Sequence, residues 1–262
     1  MSYKTNIEQQ NLLRHFLTEH GINLSGETLG KLYDFADLVV KTKQFGNLIS
    51  AKDSEKFLSR HIADSLVPYI YIRRENGPAV LQTKDERGEC RGAAYRPIAE
   101  PNSLGARRKD ERINDNESLS SLVSRLSSKT WADMGAGAGC PVFPLAIVMT
   151  EIQFYAVEPR HMRVEFMNYA KEKLQLKNLT VVGKRFETSG LADLDFISCR
   201  ALSTFENDWE RAQPGLKKGG TFLTLKSFNN IVHLENDPAV HIYKYVLPNE
   251  EQDYALVTRG NE

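Results

Sequence analysis

The sequence predicts an α/β fold, a doubly wound sheet of seven mostly parallel strands with a helical N-terminal extension. Three observations support this prediction. From residue 130 onward apolar runs alternate with segments of helical period, a glycine-rich segment separates the first run from the first such helix, and an acid ends the second run. Alternation at this spacing is typical of parallel strands joined by right-handed crossover helices.

The glycine-rich segment at 133–141, DMGAGAGCP, indicates a bound cofactor. Glycines in a strand-to-helix turn let backbone amides come close to a ligand, and the helix start adds unpaired donors with partial positive charge. Glu158 ends the second apolar run, where an acid usually accepts hydrogen bonds from ribose hydroxyls. We therefore expect a cofactor that contains a nucleoside.

The spacing of the glycines distinguishes between cofactors. A dinucleotide fingerprint needs its third glycine at position 140, where this chain has Cys140 followed by Pro141. The pattern Asp-x-Gly-x-Gly-x-Gly, from Asp133 to Gly139, instead resembles motif I of class I S-adenosylmethionine (SAM) methyltransferases. This resemblance implies SAM as the cofactor and argues against an NAD-dependent oxidoreductase.

Composition restricts the possible functions. The 262 residues carry 34 basic and 34 acidic side chains, so any binding to RNA must depend on a local patch. Cys90, Cys140 and Cys199 are widely spaced and form no metal-binding motif, and no apolar run has the length of a membrane span. We expect a reduced, cytoplasmic protein without a metal or a membrane partner.

Residues 1–72 predict a helical N-terminal extension. Gly21 should end its first helix, and Ser25 and Asp53 are the candidate N-caps of the second and third helices. Pro68 lies inside the apolar pattern of the third helix and should kink it or end it early.

Residues 73–115 contain few large apolar side chains and predict an insertion of low order. Its basic residues at 107–109 could touch RNA, although a solvated loop is the better interpretation. The cofactor-binding domain is predicted over 116–262, beginning with a short helix at 116–127. Strands are predicted at 130–134, 152–157, 179–183, 194–199, 220–226, 241–247 and 253–258, the last two antiparallel. Helices are predicted at 141–149, 160–175, 204–213 and 228–235.

Several motifs, in this order, resemble the ribosomal RNA small subunit methyltransferase G family, also called the glucose-inhibited division protein B family. They are Asn47-Leu48, Arg60-His61-x-x-Asp64-Ser65, the block from Asp133 to Leu145, the block from Glu158 to Met167, Arg185-Phe186-Glu187, Arg200-Ala201 and Leu225-Lys226. The resemblance covers nearly the whole chain apart from the insertion. Val142, Pro159, Met162 and Tyr254 depart from the family pattern.

The resemblance implies transfer of the SAM methyl group to N7 of a guanine in 16S ribosomal RNA of the small subunit. Two alternatives remain: a SAM-dependent methyltransferase acting on a protein or small molecule, and a non-catalytic module that binds SAM or RNA. The implied cofactor-binding residues are Asp133, Gly135, Gly137, Gly139, Cys140, Glu158, Phe186, Glu187 and Arg200.

Guanine N7 has a lone pair and no proton at neutral pH, so its methylation needs positioning rather than a general base. Arg200 is the candidate catalytic residue, in a positioning role, and could hold an RNA phosphate or the SAM carboxylate. The alternative is a structural ion pair with a helix acid such as Glu206. Cys199 follows no proline, so a buried thiol is favoured over the nucleophile of pyrimidine C5 methylation.

Two further basic residues are candidates for contacting RNA. Lys226 could bind a phosphate, and the alternative is an exposed lysine at a strand end. Arg60 could reach RNA, or it could simply pair with Asp64 four residues later. Asp133 should order the glycine turn, meet the methionine amino group or act as an ordinary capping carboxylate.

Overall fold

The computed structural model describes residues 2–4, 6–75 and 128–262 of the chain. Within these residues a seven-stranded sheet has the order β3-β2-β1-β4-β5-β7-β6. The strands are β1 (Thr130–Met134), β2 (Gln153–Val157), β3 (Leu179–Val182), β4 (Leu194–Arg200), β5 (Leu216–Ser227), β6 (Val240–Val246) and β7 (Asp253–Gly260). This arrangement confirms the predicted α/β class.

Strand β1 lies inside the sheet and pairs in parallel with β2 and β4. Four of its five residues are buried, as expected for a strand covered on both faces. β7 runs antiparallel between β5 and β6, which confirms the antiparallel arrangement predicted for the last two strands. The chain order changes direction between β1 and β4, and open α/β sheets bind ligands at the carboxyl ends of strands at such a point.

The helices before the sheet are α1 (Ile7–Glu19), α2 (Gly26–Lys41), α3 (Ala51–Glu55), a π-helical segment at Phe57–Ile62, α4 (Ala63–Ser65) and α5 (Val67–Glu75). The Ser25 hydroxyl accepts from the Thr28 amide at 3.1 Å, which confirms the predicted cap of α2. The predicted Asp53 cap is wrong, because Ser50 caps α3 by accepting from the Asp53 amide at 3.1 Å. The helical run is interrupted at Leu66, just before Pro68, which agrees with the predicted early end. Pro68 then lies in the first turn of α5, where a proline needs no amide partner.

The helices between the strands are α6 (Val142–Val148), α7 (His161–Leu174) and α8 (Phe205–Ala212). The helix predicted at 228–235 is wrong, since this segment forms two 3₁₀ turns, Phe228–Asn230 and Val232–Leu234. The predicted short helix at 116–127 and almost all of the predicted insertion lie outside the described residues.

The N-terminal helices pack against the sheet region through apolar and polar contacts. Phe35 of α2 and Phe143 of α6 stack with ring centroids 4.9 Å apart, and both are fully buried. Arg163 of α7 donates to the Leu48 carbonyl at 2.6 Å and to the Asn47 carbonyl at 3.0 Å. The described residues up to Tyr71 and those from 128 to 262 belong to one compact unit.

The described residues lack two features that would indicate a membrane or a metal partner. No helix there combines the length and the apolar character needed to cross a bilayer. In the same part of the chain, no group of three or more His, Cys, Asp or Glu side chains is placed to hold a metal ion.

Candidate cofactor and substrate cavities

The glycine-rich segment forms the turn between β1 and α6. Gly135, Gly137 and Gly139 have φ angles of 74°, 58° and 92°, a conformation that residues with side chains rarely adopt. The Gly135 amide donates to the Val157 carbonyl at 2.9 Å, which ties the turn to the end of β2. A Cβ at Gly139 would lie 2.5 Å from the Phe143 ring, so close packing also disfavours a side chain at this position.

Glu158 follows β2 directly and turns its buried carboxylate towards the glycine turn. Its Oε2 accepts from the Gly137 amide at 2.9 Å, and its Oε1 accepts from Arg160 Nε at 2.8 Å. Burial alone would raise the pKa of Glu158, but the Arg160 guanidinium and the amide donors lower it below its ordinary value. Glu158 is therefore an ionised acceptor beside the turn, and Arg160 occupies part of its hydrogen-bonding capacity.

Asp133, near the carboxyl end of β1, is 1% exposed. Its Oδ1 accepts from the Ser198 hydroxyl at 2.8 Å, whereas Oδ2 makes no hydrogen bond of good geometry among the described residues, although the Val142 amide is close enough to lower the pKa of the carboxyl. Burial raises the pKa of Asp133 to about 7, although the Ser198 hydroxyl and the Arg200 charge act to lower it. A buried, unsatisfied carboxyl oxygen is costly, and such groups in native proteins usually have a partner.

Two cavities border the glycine turn. The glycine-turn cavity has a volume of about 260 Å³ and is lined by Gly135, Gly137, Cys140, Arg160, Arg200 and Leu202, among others. The Phe186 cavity, about 70 Å³, is lined by Pro159, Phe186, Glu187 and Arg211, together with Gly135 and Leu202. The structure thus brings six of the nine predicted cofactor residues to two adjoining cavities, with Asp133 and Glu158 buried beside them and Gly139 packed against Phe143.

A larger cavity, the strand-end cavity, lies at the carboxyl ends of β4 and β5 and has a volume of about 540 Å³. Arg60, His61 and Asp64 line it from the N-terminal helices, and Lys226 and Tyr254 line it from the sheet. It shares Arg200, Ala201 and Leu202 with the glycine-turn cavity. The three residues predicted to position substrate or RNA, namely Arg60, Arg200 and Lys226, therefore lie around one cavity.

Arg200 is anchored by the N-terminal helices. Its NH1 donates to Asp64 Oδ2 at 3.1 Å, and the side chain is 20% exposed. The other oxygen of Asp64 accepts from the Tyr245 hydroxyl, and burial followed by the Asp64 charge raises the pKa of Tyr245 well above its ordinary value. The Arg-His-x-x-Asp motif and the Arg-Ala motif, 136 residues apart at these positions, therefore meet in one buried network.

Two ion pairs considered as alternatives have other partners. Arg200 does form an ion pair with a helix acid, but that acid is Asp64 of α4, whereas the Glu206 carboxylate contacts His233 Nε2 at 2.9 Å. Arg60 does not pair with Asp64 but with Asp53, at 3.2 Å. Periodicity along one helix suggested the second pair, whereas the π-helical segment that contains Arg60 turns its side chain towards α3.

Lys226 differs from both of its predicted roles, because its amino group is neither exposed nor directed to solvent. The residue is 8% exposed, its Nζ lies 2.6 Å from Asp208 Oδ2, and it also donates to the Ser203 carbonyl. Asp208, which is fully buried, also accepts from the Ser203 amide at 3.3 Å. Asp208 belongs to none of the sequence motifs. Its position on the buried face of α8 is nevertheless a signal, because an acid there usually pairs with a buried base.

His61 lies in the wall of the strand-end cavity. Its Nε2 is 3.4 Å from Asp53 Oδ1, and its side chain is 18% exposed. Burial, followed by the charge of Arg200, lowers the pKa of His61 to about 4, against the opposing effect of Asp53 and Asp64. The imidazole is therefore neutral at physiological pH.

The two described cysteines are buried thiols. Cys199 is fully buried, and its Sγ lies 3.4 Å from Asp208 Oδ2 and 3.3 Å from Thr224 Oγ1. Burial, followed by the Asp208 charge, raises the pKa of Cys199, which agrees with the predicted inert thiol. Cys140 lines the glycine-turn cavity, and burial also raises the pKa of its thiol.

Comparison with known proteins adds to this geometry. The family model described as GidB, rRNA small subunit methyltransferase G, matches residues 106–252. A relative named ribosomal RNA small subunit methyltransferase G from Helicobacter pylori (strain ATCC 700392 / 26695) is 40% identical over 99 residues, which are 37% of this chain and 56% of the relative. The alignment thus spans little more than half of that relative's length.

Longer alignments have lower identity. The protein of the same name from Staphylococcus haemolyticus is 26% identical over 84% of this chain and 72% of the relative, and that from Caldicellulosiruptor bescii is 24% identical over 86% and 81%. Among solved structures, precorrin-6y C5,15-methyltransferase from Geobacter metallireducens aligns over 59% of this chain and 92% of that chain, with 16% identity and a TM-score of 0.42.

The sheet order, the glycine turn and the acid after β2 define a Rossmann-like α/β protein with a crevice at the carboxyl edge of its sheet. Within that class, the family model covers more than half of the sequence. The chain belongs to the rRNA small subunit methyltransferase G family.

Proposed function

We propose that this protein transfers the methyl group of SAM to N7 of a guanine in 16S ribosomal RNA of the small subunit. One observation carries the proposal: the glycine-turn cavity and the strand-end cavity share the segment Arg200 to Leu202, so a cofactor and a base can meet there. The relatives' common name supports ribosomal RNA as the substrate class. A ribosomal substrate in turn supports a cytoplasmic location.

The residues around the glycine turn fit SAM. Gly137 lines the glycine-turn cavity, and a Cβ there would make only ordinary contacts, 3.8 Å from the Gly135 carbonyl oxygen and 4.0 Å from the Arg160 guanidinium. The ionised Glu158 would accept from ribose hydroxyls once Arg160 gives up one of its contacts. The unsatisfied oxygen of Asp133 suits the methionine ammonium group.

The remaining predicted cofactor residues have separable proposed roles. Phe186 and Glu187 would border the adenine in the Phe186 cavity, where Glu187 now pairs with Arg211 at 3.6 Å. The Cys140 position would contribute its backbone, since its thiol is buried. Arg200 would act as the positioning residue at the meeting point of the two cavities.

The reaction requires placement of the base more than proton transfer. When bound, SAM would supply a methyl group on a cationic sulfur, which the N7 lone pair would accept while the electron pair of the carbon–sulfur bond stays on sulfur. The methylated purine is cationic, so a pocket with excess positive charge would disfavour the product. Neutral His61 and the pairing of Arg200 with Asp64 both limit that charge.

Two side chains support binding of an RNA backbone. Arg160, whose side chain is 65% exposed, lies at the glycine-turn cavity, and Arg60, 34% exposed, lies at the strand-end cavity. Guanidinium groups bind phosphates through paired hydrogen bonds. Lys226 contributes less to this proposal, because its amino group is already engaged by Asp208.

The direct test is transfer of radiolabelled methyl groups from SAM to small ribosomal subunits that lack 7-methylguanine. We expect label in the RNA, and digestion of that RNA should release labelled 7-methylguanosine. Label in protein, or in a small molecule of a cell extract, would replace this function with one of the two alternatives. SAM binding without any transfer would indicate the non-catalytic module.

A further inference from the structure

The segment from Arg200 to Ser203 connects β4 to α8, and at least one of its residues lines each cavity of the candidate site. Leu202 is the one described residue that lines all three: the glycine-turn cavity, the Phe186 cavity and the strand-end cavity. Its side chain therefore lies between the space proposed for the cofactor and the space proposed for the base. The motif at Arg200-Ala201 pointed to this segment but not to Leu202.

This connection is held at both ends by charged groups. At its start, Arg200 donates to Asp64 Oδ2 at 3.1 Å. At its end, the Ser203 amide donates to Asp208 Oδ2 at 3.3 Å, and the Ser203 carbonyl accepts from the amino group of Lys226. The buried Lys226–Asp208 ion pair thus fixes the backbone of the connection, and the two residues between the anchors have little freedom to move.

Both residues between the anchors are in unfavourable states. Ala201 has a φ angle of 49°, in the left-handed region, which is unfavourable for an alanine. Leu202 is 38% exposed although it is a large apolar side chain. Backbone strain that persists beside a cavity is typical of residues held for function rather than for stability.

Leu202 also lies against the glycine turn. An ideal Cβ on Gly135 would be 2.9 Å from Leu202 Cδ1, closer than real Cβ contacts occur. The leucine therefore uses the space that the missing side chain of Gly135 leaves open. This contact places an apolar wall at the junction of the glycine-turn cavity and the strand-end cavity.

We propose that Leu202, held in place by strained Ala201 and the two ion pairs, is a positioning residue for methyl transfer. Its side chain forms the wall against which the sulfonium methyl and the target base approach each other, and it excludes water from between them. The inference rests on the proposed function, because it assigns the two cavities to SAM and to guanine. Displacement of reacting groups by about 1 Å can lower a rate about 100-fold, so such a wall is sufficient to control turnover.

The first test measures binding only and uses an analogue of SAM in which a benzyl group replaces the sulfonium methyl. Because an added ring would overlap Leu202, the wild-type protein should bind the analogue at least about 10-fold more weakly than SAM. In Leu202→Ala the two dissociation constants should agree within about 3-fold, since truncation opens the wall. Equal binding of both ligands by the wild-type protein would overturn the inference.

The second test separates placement from stability by steady-state kinetics on small subunits. Leu202→Ala should lower kcat by about 10- to 100-fold and change KM for SAM by less than about 3-fold, because binding contacts elsewhere remain. Leu202→Met, which conserves volume, should retain kcat within about 3-fold. The matched control is Ile7→Ala, a residue of equal size that is 61% exposed on α1 and should change neither constant.

The outcomes distinguish the inference from the function on which it rests. Wild-type protein that binds SAM but methylates no RNA would contradict the proposed function, while the analogue experiment would still decide the position of Leu202. Wild-type protein that binds no SAM would contradict both. Unchanged kcat in Leu202→Ala, with methylation intact in the wild type, would contradict the inference alone.

Discussion

The lysine of the Leu-Lys motif, Lys226, either stabilises the fold through its buried ion pair with Asp208 or binds an RNA phosphate. Substitution of Lys226 distinguishes these two roles. If the pair is structural, Lys226→Met leaves the carboxyl group of Asp208 fully buried and without its main partner. Removal of one partner of a buried ion pair typically costs about 3–5 kcal/mol of unfolding free energy. For a domain of this size, 1 kcal/mol corresponds to about 2–4 °C, so the melting temperature should fall by about 6–20 °C.

The assay is thermal and urea unfolding of Lys226→Met, with the double variant Lys226→Met/Asp208→Leu as the matched control. Replacement of both partners by apolar side chains should recover part of the lost stability, because no unpaired charge remains while the Ser203 amide and carbonyl lose their partners. RNA affinity should change little at any salt concentration. An unchanged melting temperature together with weaker, less salt-dependent RNA binding would refute this reasoning and restore the phosphate contact.

Three further predictions follow from the site. Gly137→Val should abolish SAM binding, because φ is 58° and the new side chain would enter the glycine-turn cavity; calorimetric binding like that of the wild type would contradict this placement. Arg200→Ala should lower kcat by more than any accompanying fall in the melting temperature explains. A lower melting temperature with normal turnover would show that Arg200 has a structural role only. The neutral His61 has its pKa lowered from 6.5 to about 4, so the unfolded state binds more protons between these values and stability falls as pH decreases through them. The contribution is up to about 3 kcal/mol and should vanish in His61→Gln, which urea unfolding at pH 7 and pH 4.5 can measure; an identical pH dependence in both proteins would show that another group is responsible.

The sheet was predictable because its signals are local. Each strand of the doubly wound part is a short apolar run, and a turn or helix of clear period separates it from the next, so periodicity located strands such as Thr130–Met134 within a few residues. The segment at 228–235 was misjudged because its apolar residues, among them Ile231 and Leu234, are buried from two 3₁₀ turns. Burial alone does not distinguish these turns from one helix.

The site was only partly predictable, because its charges are paired over long distances in the sequence. Motifs identified Arg200 and Asp64 separately, but only the fold brings them to 3.1 Å. Asp208 and Leu202 belong to no motif that was recognised, and their importance follows from contacts made by backbone atoms of Ser203 and by the glycine turn. Spacing rules for helices allowed an Arg60–Asp64 pair, but Arg60 lies in the π-helical segment and pairs with Asp53 of α3.

The central claim is that the glycine turn and the strand-end cavity bring a methyl donor to N7 of a guanine in 16S ribosomal RNA. The most direct measurement is chemical mapping of 7-methylguanine in small-subunit RNA from cells with the intact gene, without it, and with Gly137→Val. We expect one modified guanine in cells with the intact gene, and loss of that modification in cells without the gene and in cells with Gly137→Val. An unchanged pattern in all three would contradict it.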